Sequence, residues 1–233
     1  MSLPFFYESE LHQATSHFTL SEETSRHCIQ VLRMKSGEKL LLTNGKGLIC
    51  TASIAGEDRK KAVASIEKKE QVPPPHRKIN IAISLLKNAN RFEWFLEKVT
   101  EIGITDIQPL LCSRTEHTRF KTERMQGILI SAMLQSQQSW LPVLHEPAAF
   151  DSVVTTGQWQ QKLIAHCLDG SKQTLLTVPS ANETQLLIGP EGDFTPAEIT
   201  LALGNGYTAV TLGNTRLRTE TAGMVAATLL ANR

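Results

Sequence analysis

The sequence predicts an α/β fold in two parts: a small β-rich N-terminal unit, then a mostly parallel sheet with helices on both faces. Three observations carry this. Short β-prone runs cluster before residue 68, strand-like apolar runs alternate with amphipathic helices after residue 79, and a proline-rich stretch separates the two textures. That stretch is Lys68-Lys69-Glu70-Gln71-Val72-Pro73-Pro74-Pro75-His76. Consecutive prolines fix φ and remove backbone donors, so it reads as a stiff connector and not as a central strand. The divisions that follow are 1–70, 71–78 and 79–233.

In the first part, Phe5-Phe6-Tyr7 and His17-Phe18-Thr19 have strand composition. Ser21 followed by Glu22 and Glu23 opens a helix expected to run through Ile29, Val31 and Leu32. Residues 38–43 and 48–55 flank Asn44-Gly45-Lys46-Gly47, a hairpin signal, and residues 62–66 make another strand. Short antiparallel strands of this kind suggest a small barrel. His27, Arg33, Lys35 and Lys46 fall in or beside it, as a phosphate-contacting face or as ordinary solvated surface.

In the second part, residues 79–86 are a strand. Residues 90–103 are a helix with Asn90 as cap, Glu93 at the box position, and Phe92, Phe95, Leu96, Val99 and Ile102 on one side. Residues 104–111 give a strand, 122–139 and 148–154 two helices, and 162–166 a strand whose end carries His166, a candidate site-lining residue. The apolar run 185–188 ends on Gly189-Pro190-Glu191-Gly192. Thr195, Pro196 and Glu198 then supply cap, first-turn proline and box carboxylate for a helix to residue 203. Residues 208–212 return as a strand, Gly213 turns the chain, and a final alanine-rich helix starts with Thr219 or Thr221 as its cap.

Both glycine turns therefore fall at carboxyl ends of parallel strands, where open sheets bind ligands. They would also serve as ordinary βα turns. Neither GxxxxGK[ST] nor GxGxxG is present, and Glu191 in the turn would repel a phosphate, so a ligand with a positive centre suits the site better.

A formal charge of +1 excludes a global basic field, which leaves any nucleic-acid site as a local patch. Cys28, Cys50, Cys112 and Cys167 are scattered without a CxxC or clustered histidines, against a zinc site or a disulfide framework. No signal-like N-terminus or membrane-length apolar run is seen, and a cytoplasmic protein with no metal and no membrane partner is expected.

The pieces LIGPEGDFT and LGNTRLRTETA, with RFEWFLEKVTEIGI and HCIQVLRMKSGEKL upstream, resemble the bacterial small-subunit ribosomal RNA uridine-N3 methyltransferases of the knotted (SPOUT) class. The resemblance covers nearly the whole chain. It implies a knotted C-terminal domain, a PUA-like N-terminal barrel that binds RNA, S-adenosyl-L-methionine as cofactor, and 16S ribosomal RNA in the assembled small subunit as substrate. It also implies a homodimer, to which Met224, Val225, Thr228 and Leu229 of the last helix would contribute. The cofactor would rest against Ile188, Gly189, Gly192, Leu212, Gly213, Leu217 and Thr221, with His166 nearby. RNA contacts would come from Arg33, Lys35, Lys87 and Arg114. Arg218 takes the catalytic role, because a guanidinium can place two donors on a base carbonyl as charge develops; a salt bridge to Glu220 is its structural alternative. The general base stays open between His166, Glu101 and water. Asp193, Asn214-Thr215-Arg216, Leu134 and Gln138 depart from the family pattern. A knotted ribose 2′-O methyltransferase and a non-catalytic RNA-binding or assembly protein are the competing readings.

Overall fold

A computed structural model describes residues 3–232. The chain falls into two compact units, Met1–Pro74 with Met133–Leu141 and Pro75–Ala132 with Pro142–Arg233.

The first unit is a five-stranded sheet of β1 (Phe5–Tyr7), β2 (His17–Thr19), β3 (Lys39–Thr43), β4 (Leu48–Gly56) and β5 (Val63–Gln71), in the order β1-β3-β4-β5-β2. Alternation along β4 sends Leu48, Cys50, Ala52 and Ile54 inward, against Leu40 and Leu42 of β3. Burial pushes the Cys28 thiol of this core up to about 11. The helix opened by Ser21 is shorter than expected. α1 (Glu22–Arg26) is capped by Ser21 Oγ, but the chain then widens into a π turn at His27–Val31. A second difference is that β5 continues to Gln71, into the stretch read as connector. Its last residues pair through the backbone with Leu48–Thr51 of β4, which needs no apolar side chains.

Asn44 Oδ1 accepts from the Lys46 and Leu48 amides, at 2.8 and 3.3 Å, and closes the predicted hairpin. The distant segment Ser139–Leu141 then docks on that turn, with Gly47 N donating to Ser139 O (2.8 Å) and Leu141 N to Gly45 O (2.9 Å). At Gly47, where φ is +85°, an added Cβ would lie 2.6 Å from Trp140, Gln71 and the Val72 carbonyl, so only glycine allows this approach.

The second unit holds β6 (Lys78–Ser84), α2 (Ala89–Ile102), β7 (Asp106–Leu111), β8 (Val143–Leu144), β9 (Ala148–Ala149), α4 (Phe150–Thr156) and β10 (Gln161–Ala165). These are followed by β11 (Gln173–Thr174), β12 (Glu183–Ile188), α5 (Pro196–Gly204), β13 (Thr208–Thr211) and α6 (Thr219–Ala231); α3 (Thr122–Gln135) starts in this unit and ends in the other. The strands pair in parallel in the order β11-β13-β10-β12-β6-β7-β8, with β9 also on β7. The central strands are apolar on both faces, with Ile81, Ile83, Leu186 and Leu187 fully buried.

Two caps differ from expectation. Asn88, not Asn90, caps α2, its side chain accepting from the Asn90 amide, and Gly103 ends the helix in the left-handed region at φ +91°. α6 has Arg218 at its N-cap with no side-chain bond, and Thr219 is the first helical residue. The capping box of α5 forms as predicted between Thr195 and Glu198.

β13 lies between β11 and β10, flanked by the segment that connects β10 to β12. The chain leaving β13 returns as α6 against α2, β6 and β12, and it touches the 3-10 turn Leu175–Thr177 on the way. That strand order and that return of α6 across β6 and β12 are those expected of a knotted C-terminal domain. Gly223 lets α6 lie close: a Cβ there would come within 2.6 Å of the Phe95 ring on α2 and 2.9 Å of Ile83 on β6.

Candidate active site

The carboxyl ends of β10, β12 and β13 open into one cleft of about 730 Å³, large enough for a nucleoside-sized ligand. His166, Ile188, Gly189, Gly192, Leu212, Gly213, Leu217 and Arg218 all line it. Thr221 does not; the α6 residues that do are Thr219 and Ala222. Arg91 and Lys172 also line the cleft with no sequence signal read for them, as does Asp193, marked in the sequence only as a departure from the family pattern. The signal for Arg91 is its place in the first turn of a helix that follows a strand's carboxyl end.

The turn after β12 is tied down from several sides. Asp193 takes a left-handed backbone (φ +63°). Its amide donates to Pro190 O (2.9 Å), and its carboxylate accepts from the Cys167 and Phe194 amides, both at 2.8 Å. Glu191 Oε1 accepts from the Lys87 amide at 3.1 Å, and Arg114 Nη1 donates to Gly192 O at 2.6 Å. Space is taken as well. A Cβ on Gly189 would sit 3.0 Å from Phe194 N and 3.2 Å from its ring, and one on Gly192 would sit 3.2 Å from Arg114 Cδ.

The loop after β13 is different. Thr211 Oγ1 is bonded to both the carbonyl and the amide of Gly213, at 2.8 and 3.3 Å, and residues 213–216 are exposed. Gly213 has φ +149°, with no atom within 4 Å of where a Cβ would be. The Arg218 side chain makes no hydrogen bond or ion pair among the described residues. Glu220 does not pair with it, and faces Arg91 instead.

Lys172 Nζ donates to the carbonyls of His166 and Leu168, at 3.0 and 2.8 Å, which folds the start of the 166–182 loop over the cleft. Burial, and next the Lys172 charge, hold His166 below the usual histidine range, against the Asp193 charge and a backbone hydrogen bond at Leu168. The imidazole is therefore neutral near pH 7, and its Nδ1 is buried without a hydrogen-bond partner. Glu101, the other candidate base, pairs with Lys98 at 3.1 Å and is not among the cleft-lining residues.

Of the four expected RNA contacts, Lys87 and Arg114 belong to this unit, where Lys87 Nζ pairs with Glu116 at 2.7 Å and Arg114 props the glycine turn. Arg33 and Lys35 lie in the other unit. Arg33 is exposed with φ +56°, and Lys35 Nζ is 3.4 Å from Glu57.

The cleft thus presents Glu191 and Asp193 on one side and Arg91, Lys172, Arg216 and Arg218 on others, beside apolar Ile188, Leu212 and Leu217. This mixture suits a ligand carrying both signs of charge and a planar ring.

A family model described as RNA methyltransferase domain matches residues 73–231, and one described as RNA methyltransferase PUA domain matches residues 20–67. Ribosomal RNA small subunit methyltransferase E of Synechocystis is 30% identical over 219 residues, 89% of this chain and 70% of that protein. Among solved structures, a probable rRNA-methyltransferase from Porphyromonas gingivalis superposes with TM-score 0.91 at 36% identity, over 99% of both chains. A ribosomal RNA small subunit methyltransferase E from Neisseria gonorrhoeae, bound to S-adenosyl methionine, does so with TM-score 0.86 at 29% identity, over 97% of this chain and 95% of that one.

Proposed function

The chain belongs to the RNA methyltransferase family, and from that premise we propose that it methylates N3 of a uridine in small-subunit 16S ribosomal RNA, with S-adenosylmethionine as donor. The observation that carries this is the convergence of both glycine turns, His166 and Arg218 on one cleft at the strand ends. The residues present fit the cofactor. His166 Nδ1 is a buried polar atom at the cleft with no partner in the protein, the volume suits a nucleoside, and the open backbone at Gly213 lets a ring lie against it. When bound, S-adenosylmethionine supplies an electrophilic methyl group on a sulfonium.

The chain's own residues do the rest by placement. Ile188, Leu212 and Leu217 exclude water from the adenosine side, and the braced turn 189–193 fixes one wall of the cleft. Glu191 and Asp193 set negative charge near a cationic ligand. For N3 to attack, its proton must leave and negative charge spreads onto the flanking carbonyls; Arg218, unpaired and able to present two donors, stabilises that charge. A neutral His166 adds no repelling charge beside a sulfonium. The N-terminal unit contributes RNA contacts from Arg33 and Lys35, and half-buried Met224, Val225 and Leu229 on α6 support a homodimer through the C-terminal unit.

Calorimetry with S-adenosylmethionine, followed by mass spectrometry of RNA digested after incubation with isolated small subunits, tests the proposal. Saturable binding and methyl on the uracil base are expected. Methyl on ribose would replace the proposed acceptor, and absence of cofactor binding would remove the enzymatic reading.

A further inference from the structure

One ion pair reaches the cleft through its arginine alone. Arg91, in the first turn of α2, lines it; Glu220, in the first turn of α6, lies 3.7 Å from Arg91 Nε through Oε1. The Glu220 side chain is only 9% exposed, and its Oε2 is buried with no hydrogen-bond partner. A buried carboxylate so poorly served is costly, and packing alone does not require one there. The close approach at Gly223 creates the pairing: Gly223 lies one turn beyond Glu220 and Phe95 one turn beyond Arg91, so the contact that sets the two helices also sets the two side chains.

The geometry of Arg91 is informative. Its Nε faces Glu220, while its terminal NH2 groups make no hydrogen bond among the described residues. A guanidinium held at one edge keeps a two-pronged donor fork for an anion.

We propose that Arg91 is an anion-binding residue of the cleft, gripping an oxyanion of a bound substrate through its terminal NH2 groups, and that Glu220 positions it. The inference rests on the reading of this cleft as the methyl-transfer site. The oxyanion is either the carboxylate at the amino-acid end of the sulfonium cofactor or the phosphate of the acceptor nucleotide, and the experiment separates them.

Full-length wild type is first shown to bind S-adenosylmethionine and to methylate small subunits, so failure at that step belongs to the earlier proposal. Arg91→Ala is then compared with it at matched melting temperature. If the anion is the carboxylate, affinity for S-adenosylmethionine falls about tenfold or more while affinity for 5′-methylthioadenosine, which lacks that end, is unchanged. If it is the phosphate, both affinities hold and KM for the RNA rises about tenfold or more. Either pattern supports the proposal, and neither change appearing in folded protein overturns it. For Glu220→Gln, a smaller loss of the same kind is expected, and the Arg91→Ala/Glu220→Gln double variant should be no worse than Arg91→Ala alone. A double variant that loses the product of the two single effects overturns the positioning role.

Discussion

The two turns that form the cleft obey opposite rules. The turn 189–193 is bonded to residues after β6, β7 and β10, and its glycines are hemmed by Phe194 and Arg114. The turn 212–217 is bonded at Gly213 to Thr211, is largely exposed, and has an open glycine. Glycine in the first turn is needed because the protein itself comes close. In the second it is needed for an uncommon backbone angle beside open space. One wall is thus built in advance, and the other is left to settle against what it meets.

The sharpest test of that contrast is Arg218→Ala, next to the free turn. Turnover should drop about a hundredfold or more with cofactor affinity within a few-fold and thermal stability unchanged, as for loss of one oriented donor. Unchanged turnover in folded protein would end the catalytic assignment. Gly189→Ala, in the braced turn, should act in the reverse sense: forcing a Cβ against Phe194 costs about 1–3 kcal/mol, read as a lower denaturation midpoint at constant m-value. If instead stability holds and only cofactor binding suffers, the first turn is not braced as described.

Gly213→Ala meets no neighbour, so its penalty is confined to the backbone, about 1 kcal/mol, and should show in ligand affinity more than in unfolding. The smallest effect concerns pH. Because the folded state holds His166 below its usual range, the unfolded chain binds more protons as pH falls through about 6.5, and stability should decline there until the lowered folded value is passed. His166→Gln should flatten that part of the curve, while an unaltered slope would show the histidine free to titrate normally.

What was legible in the sequence was local. The carboxyl end of β12, the capping box at Thr195 and Glu198, and the hairpin at Asn44 each rest on neighbouring residues, and they form where expected. What failed was phase and distance. Two asparagines two residues apart can both serve as a cap, and the structure uses Asn88 where Asn90 was expected, which places Arg91 one turn into the helix. Glu220 was offered to Arg218, yet residues two apart on a helical path point to different sides, and its partner comes from α2. The π turn at His27–Val31 keeps the apolar spacing of an α-helix, so periodicity does not reveal it. The docking of Ser139–Leu141 on the hairpin joins residues nearly a hundred positions apart, and no local pattern encodes it.

The place of Arg218 in the chain, after β13, sets an order of events. Lys172 ties the start of the 166–182 loop beside the same cleft that Arg218 lines. A growing polypeptide can form the β12 turn before residues 212–218 exist, but the second wall and Arg218 join the cleft only after β13 has paired with β10. The cleft is therefore complete only when its second wall has been made, and because α6 packs on α2, β6 and β12 together, loosening any one of those contacts leaves the others holding the helix that Arg218 caps.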